Sequence, residues 1–546
     1  MFNKTVKSLS DLLGNEYATA VKASAVFLHG LDEKTADSLL DERISFFPES
    51  MAAHLDELLV KVGQQVVPPF DNQNEGAATR SFARATHRHA APLSALGPYR
   101  IGEDGRLYYA AKSEHYHASL GHAFPGYQLI DRARRLGIPN ATHNNTRGYI
   151  TRHMERELIR HVNGLASEDT AGLEAVLASH EPQVLNRVIN LETGSLAVEA
   201  GVKMMLRRFY RLEPTDGPPL YPDKTPVFLV VADYEGGPQA NYHGTTVITQ
   251  TMRGLWPELY QRCADQEIYR IVTVRQNDIN DFSEKIEQYN SGSYKTAGFL
   301  HEIVLMNYGG ILLEQDYLHA AYDLCRTHAT PVLVDEIQSC MWYSGMFLFR
   351  HYQLKPDFVI LGKGFSGGEY PASKVMTTYE MDSLSQFGAL VTNGQEELAS
   401  LAYLVTMAFV ADHGEDLDRA GAYFAEALAG LKTRYPNLIA KIEGSGHLAA
   451  IHFQDLNLAV RFAGMMNERC IDISAQTYKA QCPPAVLLKP PVIASLKAID
   501  YLVGQMTSVL NQLTANLASN DLASNDLASN DLASNDLASN DLALSD

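Results

Sequence analysis

Residues 331–338 read Pro-Val-Leu-Val-Asp-Glu-Ile-Gln, and residues 358–364 read Phe-Val-Ile-Leu-Gly-Lys-Gly. Each is a short, nearly continuous apolar run that breaks off in polar residues. A run without alternation fits a strand buried on both faces. Val227-Phe228-Leu229-Val230-Val231 and Gly298-Phe299-Leu300 have the same character, and helical stretches separate the runs. Apolar strands alternating with helices predict an α/β fold with a mostly parallel sheet covered on both faces. In such sheets ligands sit beyond the carboxyl ends of the strands. Asp335, Gln338 and Lys363 therefore fall where a site belongs.

Outward from this centre, 546 residues exceed what one core usually holds, so two or more domains are expected. Residues 1–95 carry helical periodicity (Leu39, Leu40, then Met51, Leu55, Leu58, Leu59) and form an N-terminal extension that gives way near Pro68-Pro69. Residues 96–165 begin with short strands, Gly97-Pro98-Tyr99-Arg100-Ile101 and Leu107-Tyr108-Tyr109, around an Asp104-Gly105 turn. Residues 166–405 carry the large sheet. Residues 406–515 are helical, then mixed, and close with a helix from Ile493 to about Leu513. The last stretch, 516–546, holds the unit Leu-Ala-Ser-Asn-Asp five times from Leu517 to Asp541. A period of five suits neither helix nor strand, so a disordered acidic tail is expected.

A formal charge of -19 argues against nucleic acid or an anionic membrane as the main partner. No apolar run reaches the roughly 18 residues of a membrane span, and residues 1–31 lack a signal-peptide pattern, so a cytoplasmic protein is expected. Five cysteines, odd in number and without CxxC spacing, read as free thiols. His87-Arg88-His89 has no acidic or cysteine partner at ligand spacing, so no metal is expected.

Lys363 lies in a glycine-rich turn, Leu361-Gly362-Lys363-Gly364-Phe365-Ser366-Gly367-Gly368. Taken alone, it reads first as a solvated strand-end lysine; a Walker phosphate loop is excluded by spacing. Asp335 and Gln338 change that. Pyridoxal 5′-phosphate chemistry needs a lysine amine for the Schiff base and a carboxylate against the pyridinium nitrogen. Gln338 can donate to the ring's 3′-oxygen, and the released Lys363 amine can serve as the base.

Asp335-Glu336-Ile337-Gln338, then Ser344-Gly345, His351-Tyr352 and Lys355-Pro356-Asp357, running into Phe358-Val359-Ile360-Leu361-Gly362-Lys363, resembles the class III (ornithine, acetylornithine and ω-amino acid) aminotransferases. The resemblance covers roughly residues 96–515. It implies a fold-type-I pyridoxal phosphate enzyme, with a large α/β domain and a smaller α+β domain built from both chain ends. It places Thr193-Gly194-Ser195 at the cofactor phosphate, which suits a turn opening a helix. It places Tyr242, in Tyr242-His243-Gly244-Thr245, on the cofactor ring. Thr392 matches a threonine that reaches the neighbouring subunit's phosphate, implying a homodimer with shared sites. Gly97 to Gly121-His122 resembles the family's N-terminal segment.

The departures bear on substrate. Thr245 and Leu487 stand where the family commonly has carboxylate-gripping arginines, and Lys489 lacks the bidentate fork. Leu196 replaces a glutamate, and Glu302 keeps the acid of a Glu-Pro-x-Gln strand end without its Pro and Gln. The implied reaction is transfer of an amino group between an amine or amino acid and a carbonyl acceptor. Substrate candidates are His115, His117, Glu302 and Arg147. A racemase or aminomutase, and a catalytically decayed binding protein, are the alternatives.

Overall fold

The computed structural model describes residues 1–477, 479 and 482–517; the repeat expected to form a tail lies, from residue 518 on, outside the described residues. Seven strands make the central sheet: β1 (Leu185–Leu191), β2 (Thr225–Val231), β3 (Arg270–Val274), β4 (Tyr294–His301), β5 (Val332–Asp335), β6 (Phe358–Gly362) and β7 (Ser373–Thr378). Their order is β1-β7-β6-β5-β4-β2-β3. The pairs β6–β5, β5–β4, β4–β2 and β2–β3 are parallel, and β7 alone runs against both its neighbours. Every residue of β2, β5, β6 and β7 is buried. At roughly 1.5–3 kcal/mol per large apolar side chain, this burial drives the sheet's assembly. The α/β fold with a mostly parallel sheet is as expected.

Helices Gly194–Leu206 and Gln315–Thr327 pack on the sheet, and the long helices Glu397–Asp412 and Gly414–Arg434 follow it. Tyr99–Gly102 pairs with Leu107–Tyr109 around the expected turn, with Tyr99 opposite Tyr109. Pro92–Leu96 adds a third strand. A four-stranded antiparallel sheet (Ile439–Ser445, Leu448–Phe453, Ala485–Leu488, Ser474–Ala475) is joined to that meander by a bridge between Tyr109 and Ile471. The two ends of the chain thus meet beside the sheet. The closing helix is displaced from its expected bounds and runs over 496–517.

The N-terminal segment is helical over Asn15–His29, Glu33–Asp41 and Glu49–Leu58. It docks through Phe2 against Phe409 and His413, Tyr17 stacked on Tyr149 at 4.5 Å, and Tyr99 donating to the Leu55 carbonyl.

Candidate active site

Strands β4, β5 and β6 end side by side, delivering Glu302, Asp335 and Lys363 to one edge. A cavity of about 480 Å³ opens there, and Lys363, Asp335, Gln338, Gly194, Ser195 and Tyr242 all line it. Ligand pockets commonly span roughly 300–1,000 Å³. Glu302 and His117 also reach its wall.

Lys363 opens a 3₁₀ turn, Lys363–Ser366, at a positive φ of 43°. A left-handed lysine costs about 1–2 kcal/mol, so its placement is held by the surroundings. Gly364 follows because a Cβ there would come within 2.2 Å of the Trp342 ring. The Lys363 Nζ donates to Gln338 Oε1 at 3.3 Å. Burial lowers its pKa to about 8, against the pull of Glu302 and Asp335. An amine so placed sheds its proton readily and acts as nucleophile or base.

Asp335 is buried, and its two oxygens are accounted for: Oδ2 meets His243 Nδ1 at 3.0 Å, and Oδ1 accepts from the Ile337 amide at 3.1 Å. His243 is itself buried, with Nε2 unpartnered. Gln338 Nε2 donates to Glu302 Oε1 at 3.0 Å, leaving the second N–H of that amide for another acceptor. The Glu302 Oε2 is buried without a partner; burial first, then Asp335, pushes this carboxyl well above the usual range. Glu336 faces away from the cavity, accepting from the Phe349 amide at 2.6 Å, and burial raises it to about 7.

Opposite these groups the helix Gly194–Leu206 begins with Thr193 as its N-cap, whose side chain makes no capping bond. The first-turn N–H groups and the positive end of the helix dipole meet the cavity, an arrangement built for an anion. A Cβ at Gly194 would lie 2.3 Å from Ile337 Cδ1, so a larger residue there would have to displace the Ile337 side chain. The Ser195 Oγ accepts from the Thr245 amide at 3.0 Å. An amine, a buried carboxylate facing it, an anion cradle and a flat aromatic wall at Tyr242 fit pyridoxal phosphate in size and chemistry. The Tyr242 ring carries the Arg253 guanidinium 5.0 Å from its centroid.

The other sequence candidates lie elsewhere. His115 is exposed and stacks on Tyr116 at 5.0 Å without lining the cavity. Thr392 is exposed outside the cavity. Arg147 lines a separate cavity of about 170 Å³ and pairs with Glu155 at 3.3 Å. Sequence reasoning passed over His243 as a partner of Asp335; its only signal was its place beside Tyr242.

Comparison with known proteins agrees with this geometry. The sequence profile of the aminotransferase class-III family matches residues 96–509. The chain belongs to that family, and pyridoxal phosphate dependence is a family property. Among curated relatives, a putrescine aminotransferase of Pectobacterium atrosepticum is 25% identical over 246 residues, 44% of this chain and 52% of that protein. An ornithine aminotransferase of Plasmodium chabaudi chabaudi is 30% identical over 183 residues, 33% of this chain and 43% of that protein. The chain thus spans about half the length, or less, of these relatives. The fold matches the ornithine aminotransferase of Toxoplasma gondii at a TM-score of 0.62 and 18% identity, covering 86% of this chain and 99% of that one. The PMP-bound form of an aminotransferase from Vibrio fluvialis matches at 0.62 and 18%, covering 82% and 99%. Among the described residues no helix is long and apolar enough to cross a membrane, and no cluster of three or more His, Cys, Asp or Glu side chains is placed to hold a metal.

Proposed function

We propose that this chain is a pyridoxal 5′-phosphate-dependent aminotransferase with Lys363 as its cofactor lysine, acting in the cytoplasm as a homodimer with shared sites. The observation that carries it is the convergence of Lys363, Asp335 and Gln338 on one cavity facing the Gly194 helix start. When bound, the cofactor supplies an electron-poor ring that takes up the charge left when a substrate Cα–H bond breaks. Asp335, oriented by His243, would hold the ring nitrogen protonated. Gln338 would give its second N–H to the 3′-oxygen, and the amides of Gly194 and Ser195 would take the phosphate. Tyr242 would cover the ring. The Lys363 amine would be the base that takes the proton from the substrate Cα.

Thr392 is assigned to the partner's phosphate. In support, it is exposed and outside its own cavity, and nearby Phe387 is 82% exposed. Residues 96–165 and 406–515 are assigned to one small domain, supported by the bridge between Tyr109 and Ile471. The substrates are an amine or amino acid and a carbonyl acceptor. Glu302 and His117 face them from the cavity wall, and His115 and Arg147 act from outside it.

The test is the half-reaction. A transaminase given amine donors alone loses the absorbance of its Lys363-bound cofactor and recovers it only when a carbonyl acceptor is added. Inversion or migration of the amino group without lasting loss of that band would assign a racemase or aminomutase. No response from a protein that binds the cofactor would assign a binding protein.

A further inference from the structure

Lys374 is a buried cation that the chemistry above does not use. It lies in β7, paired with Asn190 of β1, and is 0% exposed. Its Nζ donates to the Leu191 carbonyl at 3.4 Å and to the Gly394 carbonyl at 3.5 Å, and lies 4.8 Å from the centroid of the Tyr403 ring. Burial lowers its pKa to about 8 while Glu155, Glu396 and Glu192 pull the other way, so it is an ammonium at pH 7. One end of this bridge is the last residue of β1. The other is the segment that follows Thr392.

Contacts beside the ammonium tie the same two pieces together. Asn190 Nδ2 donates to Gln395 Oε1 at 3.2 Å. Gly394 has a φ of 117°, and a Cβ there would lie 3.0 Å from the Asn190 carbonyl oxygen, so the two backbones pass close. The Gln395 carbonyl accepts from the Thr151 hydroxyl at 3.0 Å, which anchors the segment on the helix Tyr149–Val162. The end of β1 is thereby held from outside the sheet as well as by its ladder with β7.

The chain after Leu191 enters the cavity wall, where Glu192, Thr193, Gly194 and Ser195 all lie. Lys363 is the only lysine or arginine on that wall, so the turn at Gly194 has no cationic side chain of its own. A phosphate there depends on the direction of the first amides of the helix Gly194–Leu206 and on its dipole. Those directions follow from where β1 ends.

We propose that Lys374 is a positioning residue for the cofactor phosphate: by bridging the Leu191 and Gly394 carbonyls it fixes the end of β1, and with it the amides of Gly194 and Ser195. This rests on the reading of Lys363 as the cofactor lysine and of the Gly194 turn as the phosphate site. Without the ammonium, two carbonyls and the nearby carboxylates share one buried space with nothing to offset them, and the segment after Thr392 moves off the end of β1.

The test compares pyridoxal phosphate with pyridoxal, which lacks the phosphate, by titrating the cofactor-free full chain and following the absorbance of the ring bound at Lys363. Lys374→Met is expected to raise the Kd of pyridoxal phosphate about tenfold and to leave that of pyridoxal within about twofold. A merely structural role would weaken both ligands alike. Circular dichroism and the melting temperature establish that the variant is folded. Equal loss for the two ligands, or no loss for pyridoxal phosphate, overturns the proposal. Where the single variant does not fold, Lys374→Met combined with Glu155→Gln, which takes out a buried acid with the cation, is read in the same way. A wild-type chain that binds pyridoxal as tightly as pyridoxal phosphate overturns the phosphate site itself, and the function proposed above with it.

Discussion

The floor of the cavity and its rim are built in opposite ways. The floor hangs from strand ends: Asp335 closes β5, Lys363 follows β6, and Glu302 follows β4, each carried by residues buried on both faces. The rim beside it, Ser113 to Tyr116, is four consecutive non-glycine residues with positive φ. Each costs about 1–2 kcal/mol in that conformation. It is held by a charge clamp in which Glu114 meets Arg100 at 2.7 Å and His122 at 3.1 Å, with Arg100 reaching Asp472 at 3.1 Å. Those contacts hold the Glu114 carboxyl down at about 2, though burial alone would raise it. Regular structure fixes the floor, whereas contacts distant in sequence fix the turn that leads into His117 on the cavity wall. Changes in the two regions should therefore separate in their effects.

The largest effect is expected on the floor. Asp335→Asn removes a buried charge and mismatches His243, so kcat should fall roughly 10²–10³-fold, the scale of breaking a buried pair worth about 3–5 kcal/mol. A loss under about tenfold would take Asp335 away from the ring nitrogen. On the rim, His117→Ala should raise the KM for the amine donor by less than about tenfold and leave the Kd of the cofactor unchanged. Weakened cofactor binding in that variant would erase the distinction between floor and rim.

The smallest effect sharpens the floor's electrostatics. The Glu302 carboxyl is raised in the folded protein, so the unfolded chain releases this proton first as pH climbs. The folded state then loses stability from the pH of ordinary glutamate ionisation up to the raised value, and the deficit persists above it. Glu302→Gln removes that deficit. The cofactor-free variant should match the wild-type Tm at low pH and exceed it by about 1–3 °C near neutrality. A difference independent of pH would mean that Glu302 is not raised.

The same contrast explains what was legible in the sequence. Asp335, Gln338 and Lys363 stood out because apolar strands end abruptly in polar residues, and that edge is where parallel sheets bind ligands. Strand β7 did not, since Ser-Lys-Val-Met-Thr-Thr looks half polar although every residue in it is buried. Its Lys374 is sheltered over the Tyr403 ring at 4.8 Å, a contact that no local pattern encodes. His243 escaped notice because its partner is 92 residues away. Lys489 read only as a poor substitute for arginine; its apolar neighbours Leu487 and Leu488 hinted at burial, but the cage of Trp342 and Tyr116 comes from distant segments. The rim was least legible, since nothing in Ser-Glu-His-Tyr suggests a left-handed turn.

The most direct test of Lys363 at the centre of this site is borohydride reduction of the purified protein, followed by peptide mapping. A cofactor absorbance band that disappears on reduction, with the label on the peptide bearing Lys363, is the predicted result. Label on another lysine, or no band after pyridoxal phosphate is added, would contradict it.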